Sequence, residues 1–92
     1  MQTLTIFYLD GCPYCRDAMR AAEELRAELS CSPDRIEWIE ERRCADVADR
    51  YDYCRVPSVF CGERKLYECS PGDDFAAIKR QLRRAIESTI CD

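Results

Sequence analysis

The chain contains no histidine, only three glycines and only four prolines in 92 residues. It has no apolar run near the roughly 20 residues that a membrane span needs, and no excess of positive charge. Each absence removes a class of function. Without histidine, no imidazole can assist a thiol or complete a metal site. Few glycines and prolines argue against a loop-rich mini-protein stapled by disulfides. A net charge of -4 argues against general binding to nucleic acid or to anionic membranes. The first ten residues carry no basic start and no small-residue cleavage site. No signal peptide is expected, and a cytoplasmic location is.

What is present is apolar pattern and cysteine. Hydrophobic residues make up 47% of the chain, enough for one modest core in a single domain over residues 1–92. A monomer is expected. Eight cysteines stand at 12, 15, 31, 44, 54, 61, 69 and 91. In a secreted protein they would suggest a disulfide framework. Here periodic apolar residues run the length of the chain, so a core forms without staples.

Thr3 to Leu9 is β-branched and aromatic and stops at Asp10-Gly11, which predicts a strand. Pro13 suits the first turn of a helix, where its missing N–H costs nothing. Met19, Ala22, Leu25 and Leu29 carry that helix to about Leu29. Ile36 to Glu40 is a second strand. A short helix is expected around Cys44 to Cys54, with Ala45, Val47 and Ala48 on its buried side, and Val56-Pro57 stops it. Ser58–Cys61 and Lys65–Cys69 flank Gly62 as a hairpin. Phe75, Ile78, Leu82, Ala85, Ile86 and Ile90 keep helical spacing to nearly the end. The order is β-α-β-α-β-β-α: an α/β domain with a four-stranded mixed sheet flanked by helices, its first two strands parallel.

Cys12 and Cys15 sit where the first strand turns into the first helix. A helix N-terminus favours negative charge by about 0.3–1 kcal/mol, up to ~2 in partly buried sites. Two cysteines three apart at such a point suit dithiol exchange: the first attacks a disulfide and the second resolves the mixed disulfide. Half of a zinc site has the same spacing. A four-cysteine zinc site needs a second close pair, however, and the later cysteines are spaced seven or more apart. No metal is expected.

The stretch "CPYC" after a strand, "VPSVF" some forty residues on, and the acidic "DDF" together resemble the glutaredoxins of the thioredoxin superfamily, over almost the whole chain. The resemblance implies a thioredoxin-like fold and a thiol-disulfide oxidoreductase acting on protein or small-molecule disulfides. It implies that Cys12 is the nucleophile and Cys15 the resolving thiol. Tyr14, Val56, a cis-Pro57, Asp73 and Asp74 would form the substrate groove. No bound cofactor is implied. Electrons would come from glutathione or from a partner such as thioredoxin reductase. The alternative within the resemblance is a module that binds an iron–sulfur cluster or a thiol ligand through Cys12.

Three departures bear on glutathione. The family's lysine before the first cysteine is absent, and Asp10 stands nearby. The family's "TVP" is "RVP", so Arg55 is a candidate replacement charge, as is Arg16. The family's Gly-Gly is replaced around Tyr67-Glu68, which would crowd the groove. Poor turnover with glutathione alone is therefore expected. Cys69, just before "SPGDD", is a candidate third redox thiol, while the other cysteines read as small hydrophobes. Trp38 reads as core or sheet face. Lys79, Arg80, Arg83 and Arg84 read as a solvated stripe.

Overall fold

Alternate residues of the first strand face opposite ways, and that alternation builds two cores. The computed structural model describes residues 3–29 and 36–90, so Cys31 and Cys91 lie outside the described residues. Its elements are β1 (Leu4–Tyr8), α1 (Pro13–Glu28), β2 (Ile36–Glu40), α2 (Ala45–Ala48), β3 (Ser58–Cys61), β4 (Arg64–Glu68) and α3 (Phe75–Ile90). The sheet order is β2-β1-β3-β4, with β1 parallel to β2 and antiparallel to β3. No described helix is long and apolar enough to cross a membrane.

Leu4 and Ile6 of β1 and Val59 of β3 meet Ala21 and Leu25 of α1 and Leu82, Ala85 and Ile86 of α3 on one face. Phe7 and Phe60 point to the other face, against Ala48, Tyr51, Tyr53 and Val56. Phe7 stacks on Tyr53 with ring centroids 4.9 Å apart and tilts against Tyr51 at 4.7 Å. Each large apolar side chain buried in this way contributes about 1.5–3 kcal/mol.

Three expectations need correction. The buried face of α1 is Cys15, Ala18, Ala21 and Leu25, while Met19 is exposed. Small alanines let α1 approach the sheet and α3 closely, so size misled the reading. The second helix spans only four residues. Tyr51 and Tyr53 are drawn down onto Phe7 and Phe60, which ends it, and Ala45 is exposed. The basic stripe of α3 is half engaged: Lys79 donates to Glu24 at 2.8 Å and to Glu28, and Arg83 donates to Glu28 at 2.5 Å.

The strand register gathers the chemistry at one end of the sheet. Tyr8 pairs with Glu40, Phe7 with Ser58, and Ser58 with Glu68. The turn after β1, the end of β2, the loop before β3 and the end of β4 all emerge there.

Candidate active site

At that end α1 begins on Cys12. Its extended backbone (φ -83°, ψ 120°) makes it the N-cap, with Pro13 following in the first turn. Gly11 takes φ 83°, which a side chain would strain, and so turns the chain from strand into helix. A helix start leaves several N–H groups without intrahelical partners. Cys12 Sγ accepts one of them, from Cys15 N at 3.4 Å, and Cys12 O accepts from Arg16 N at 3.0 Å. The first sulfur is half-buried, while Cys15 is 2% exposed. Cys15 Sγ accepts the N–H of Leu9 at 3.4 Å. Burial pushes the Cys15 thiol up to about 12, only partly offset by that N–H. Neither cysteine is in a disulfide.

The second half of the site is the loop before β3. Val56-Pro57 is a cis peptide. Pro57 is buried and borders the same small internal gap as Ala18 of α1, one turn beyond Tyr14. Ser58 donates its hydroxyl to Arg55 O, and Cys69 N donates to Pro57 O at 3.0 Å. Among the described residues, no hydrogen bond engages the backbone N–H or carbonyl of Val56.

Between the two halves lies a groove of about 350 Å³ lined by Leu9, Tyr14, Glu41, Cys54, Arg55, Val56, Cys69, Ser70 and Pro71. Tyr14 and Val56 thus share the groove, and so do Arg55 and Cys69. The Arg55 side chain has no hydrogen bond or ion pair among the described residues. Cys69 is 3% exposed. Burial raises its thiol, the Tyr67 phenol pulls it back down, and the charges of Asp73 and Cys12 raise it further. It is a protonated thiol at neutral pH. Cys54 is an exposed thiol in the groove wall, which corrects its reading as a small buried hydrophobe.

Asp73 and Asp74 are not in the groove lining. Asp73 Oδ2 accepts the Tyr67 hydroxyl at 2.6 Å and Ser70 N at 3.0 Å. Asp74 Oδ1 accepts Ala77 N at 2.8 Å and so caps α3. Tyr67 and Glu68, expected to crowd the groove, are turned to other work and do not line it. The Asp10 carboxylate is paired with Arg43 at 2.8 Å.

The roles of two acidic residues escaped the sequence reading. Glu40, 5% exposed, accepts Asp10 N at 3.1 Å and Arg42 N at 2.6 Å. Those N–H groups hold its carboxyl below the usual range. Glu68 accepts Cys54 N and Arg55 N, both at 2.6 Å. Each closes an edge strand, and nothing in the sequence marks an acidic strand end as a partner for backbone so far along the chain.

No family model matches the sequence, and no curated protein matches it. Among solved structures, the fold is similar to that of a point-mutant thioredoxin from Halobacterium salinarum. The two share 25% identity and a TM-score of 0.61, over 94% of this chain and 72% of the other. The four-stranded mixed sheet, the helices on both faces and this likeness make the chain a member of the thioredoxin superfamily by fold.

Proposed function

We propose that this member of the thioredoxin superfamily is a glutaredoxin-like dithiol–disulfide oxidoreductase that reduces disulfides of proteins or small molecules. The observation that carries the reading is the asymmetry of the two sulfurs. Cys12 caps a helix, accepts an N–H and is partly exposed, whereas Cys15 is buried one turn in. An attacking thiol must be reached by substrate, and a resolving thiol must not be reached first.

Chemically, Cys12 thiolate attacks one sulfur of R–S–S–R′. The Cys12–S–R bond forms, the S–S bond breaks, and R′–S⁻ leaves. Cys15 enters this step protonated, since its thiol titrates near 12. With no histidine in the chain, the departing thiolate is the base that takes the Cys15 proton. Cys15 then attacks Cys12 Sγ, the Cys12–Cys15 bond forms, and R–S⁻ leaves. Two electrons pass from the dithiol to the substrate. During the exchange the open N–H and carbonyl of Val56 are suited to pair with extended peptide backbone beside the substrate sulfur, and Tyr14 and Arg55 wall the groove.

Glutathione is expected to be a poor sole donor, with a reductase of the thioredoxin-reductase kind doing better in the cytoplasm. The grounds differ from crowding. Glutathione offers two carboxylates and an ammonium group. Arg55 is available for a carboxylate, but Asp73 lies outside the groove lining, with its Oδ2 accepting from Tyr67 and Ser70. Losing one charge-assisted contact weakens binding about ten- to a hundredfold. The test is a coupled assay on a small disulfide, with glutathione plus glutathione reductase in one arm and thioredoxin reductase in the other. Turnover in either arm that vanishes in Cys12→Ser supports the oxidoreductase. No turnover in both arms refutes it, and fast turnover with glutathione overturns the donor preference alone.

A further inference from the structure

The loop before Pro57 is fixed from outside the site, by the edge strand β4. Glu68, its last residue, stands opposite Ser58 in the sheet. One carboxylate oxygen accepts the N–H groups of both Cys54 and Arg55, each at 2.6 Å, and the other accepts Lys65 Nζ at 2.8 Å. Lys65 also donates to Asp52 O at 3.2 Å. Two side chains of β4 therefore grip the backbone at positions 52, 54 and 55. Ser58 and Cys69 hold the carbonyls of Arg55 and Pro57. Among the described residues, the Val56 N–H and carbonyl, next to Pro57, have no such partner and are open to a ligand.

We infer that Glu68 is a positioning residue: it holds Cys54 and Arg55 so that Val56 presents a ready peptide edge and Arg55 lines the groove, and it thereby favours disulfides carried on extended peptide over small disulfides. The inference rests on the oxidoreductase reading above and extends it to substrate class. Its physical basis is preorganisation. An edge already ordered in the free protein pairs with a peptide without a further ordering cost at the moment of binding. A small disulfide does not use that edge and gains nothing from it. Lys65 first, then the Cys54 N–H, holds the Glu68 carboxyl down at about 2, so the brace is charged throughout the physiological range.

The test uses the full chain and two substrates, bis(2-hydroxyethyl) disulfide and a disulfide joining two cysteine-containing pentapeptides. Glu68→Gln and Glu68→Ala are compared with the parent protein. Amide hydrogen exchange at Cys54 and Arg55 should quicken in both variants, more in Ala than in Gln. The ratio of kcat/KM for the peptide over the small disulfide should fall about tenfold, the effect of losing roughly one charge-assisted hydrogen bond, and KM should carry the fall. Should Glu68→Ala not fold, Glu68→Gln carries the same readouts, and Lys65→Met, which leaves both Glu68 bonds to backbone in place and removes only the one from Lys65 to Asp52 O, should show a smaller shift of the same sign. Unchanged exchange at the two amides overturns the inference, as does an equal loss on both substrates. A parent protein that reduces neither disulfide overturns the oxidoreductase reading, and this inference falls with it. A parent active on both, with an unchanged ratio in the variants, overturns the inference alone.

Discussion

Two loops form the site, and they are held by different kinds of atom. The turn into α1 is held partly through the sulfurs that would react, because Cys12 Sγ accepts from Cys15 N and Cys15 Sγ accepts from Leu9 N. The loop before β3 is held by groups that take no part in thiol exchange: the Glu68 carboxylate, the Ser58 hydroxyl and the Cys69 N–H. Oxidation of the dithiol alters the acceptors of the first loop and leaves those of the second in place. The reacting half can change its hydrogen bonds at each turnover while the recognition half keeps its shape.

The largest effect should come from the first loop. Cys12→Ser should reduce disulfide exchange to background, and Cys15→Ser should let the Cys12 mixed disulfide accumulate, visible by intact mass. If Cys15→Ser instead cleared the mixed disulfide at the parent rate, a different thiol would be resolving it, and the division of labour between the loops would fail.

Next comes the floor beneath the second loop. Phe7 is fully buried and touches Tyr51, Tyr53 and Phe60. Phe7→Ala should lower stability by about 3–5 kcal/mol in urea unfolding. A loss below about 1 kcal/mol would mean that the aromatic cluster collapses around the cavity and holds the loop less than the packing implies.

pH should separate the loops further. The folded Cys15 thiol titrates near 12 against a usual 9.0. Above about 9 the unfolded chain loses that proton and the folded chain keeps it, so this contribution to stability is lost as pH rises from 9 toward 12. Glu68 is the opposite case, lowered to about 2 from 4.5. Its contribution is fully present above 4.5 and is lost as pH falls through that range to 2. Cys15→Ala should flatten the alkaline limb of a stability–pH profile and leave the acid limb, and Glu68→Gln should do the reverse. Identical profiles for the two variants would break the comparison.

The smallest effect belongs to an exposed contact of the first loop. The Arg43–Asp10 pair, with side chains 71% and 48% exposed, lies in solvent. Arg43→Ala should cost about 0.2–1 kcal/mol, by the same urea titration. Glu40→Gln should cost more, because that carboxylate is 5% exposed and accepts backbone N–H groups from two turns, Asp10 of the first loop and Arg42 after β2.

What was legible in the sequence follows from what a local pattern can encode. Strand alternation and helical spacing are local, so β1, β2, α1 and α3 lie within a residue or so of where pattern and punctuation put them. The dithiol was legible because C-P-Y-C carries its own turn and helix start. The extent of α2 was not, since Tyr51 and Tyr53 answer to Phe7 and Phe60 far along the chain rather than to their helical neighbours. The backbone contacts of Glu40 and Glu68 were invisible for a similar reason. Their partners are backbone N–H groups, which every residue but proline offers, so no residue type at any spacing announces the contact. Asp73 was read as a ligand group from the resemblance; that its Oδ2 accepts from Tyr67 and Ser70 is a contact no local pattern encodes.

The central claim is that Cys12 and Cys15 form one redox unit while the thiols nearby stand aside. To test it, the protein is oxidised with a small disulfide, exchange is quenched with acid, the remaining thiols are alkylated by excess maleimide in denaturant at neutral pH, and the peptides are mapped by mass spectrometry. A Cys12–Cys15 bridge is expected, reversible by a dithiol reductant, with Cys54 and Cys69 alkylated. Cys12 bridged to Cys54 or Cys69, or a dithiol that stays reduced throughout, would contradict it.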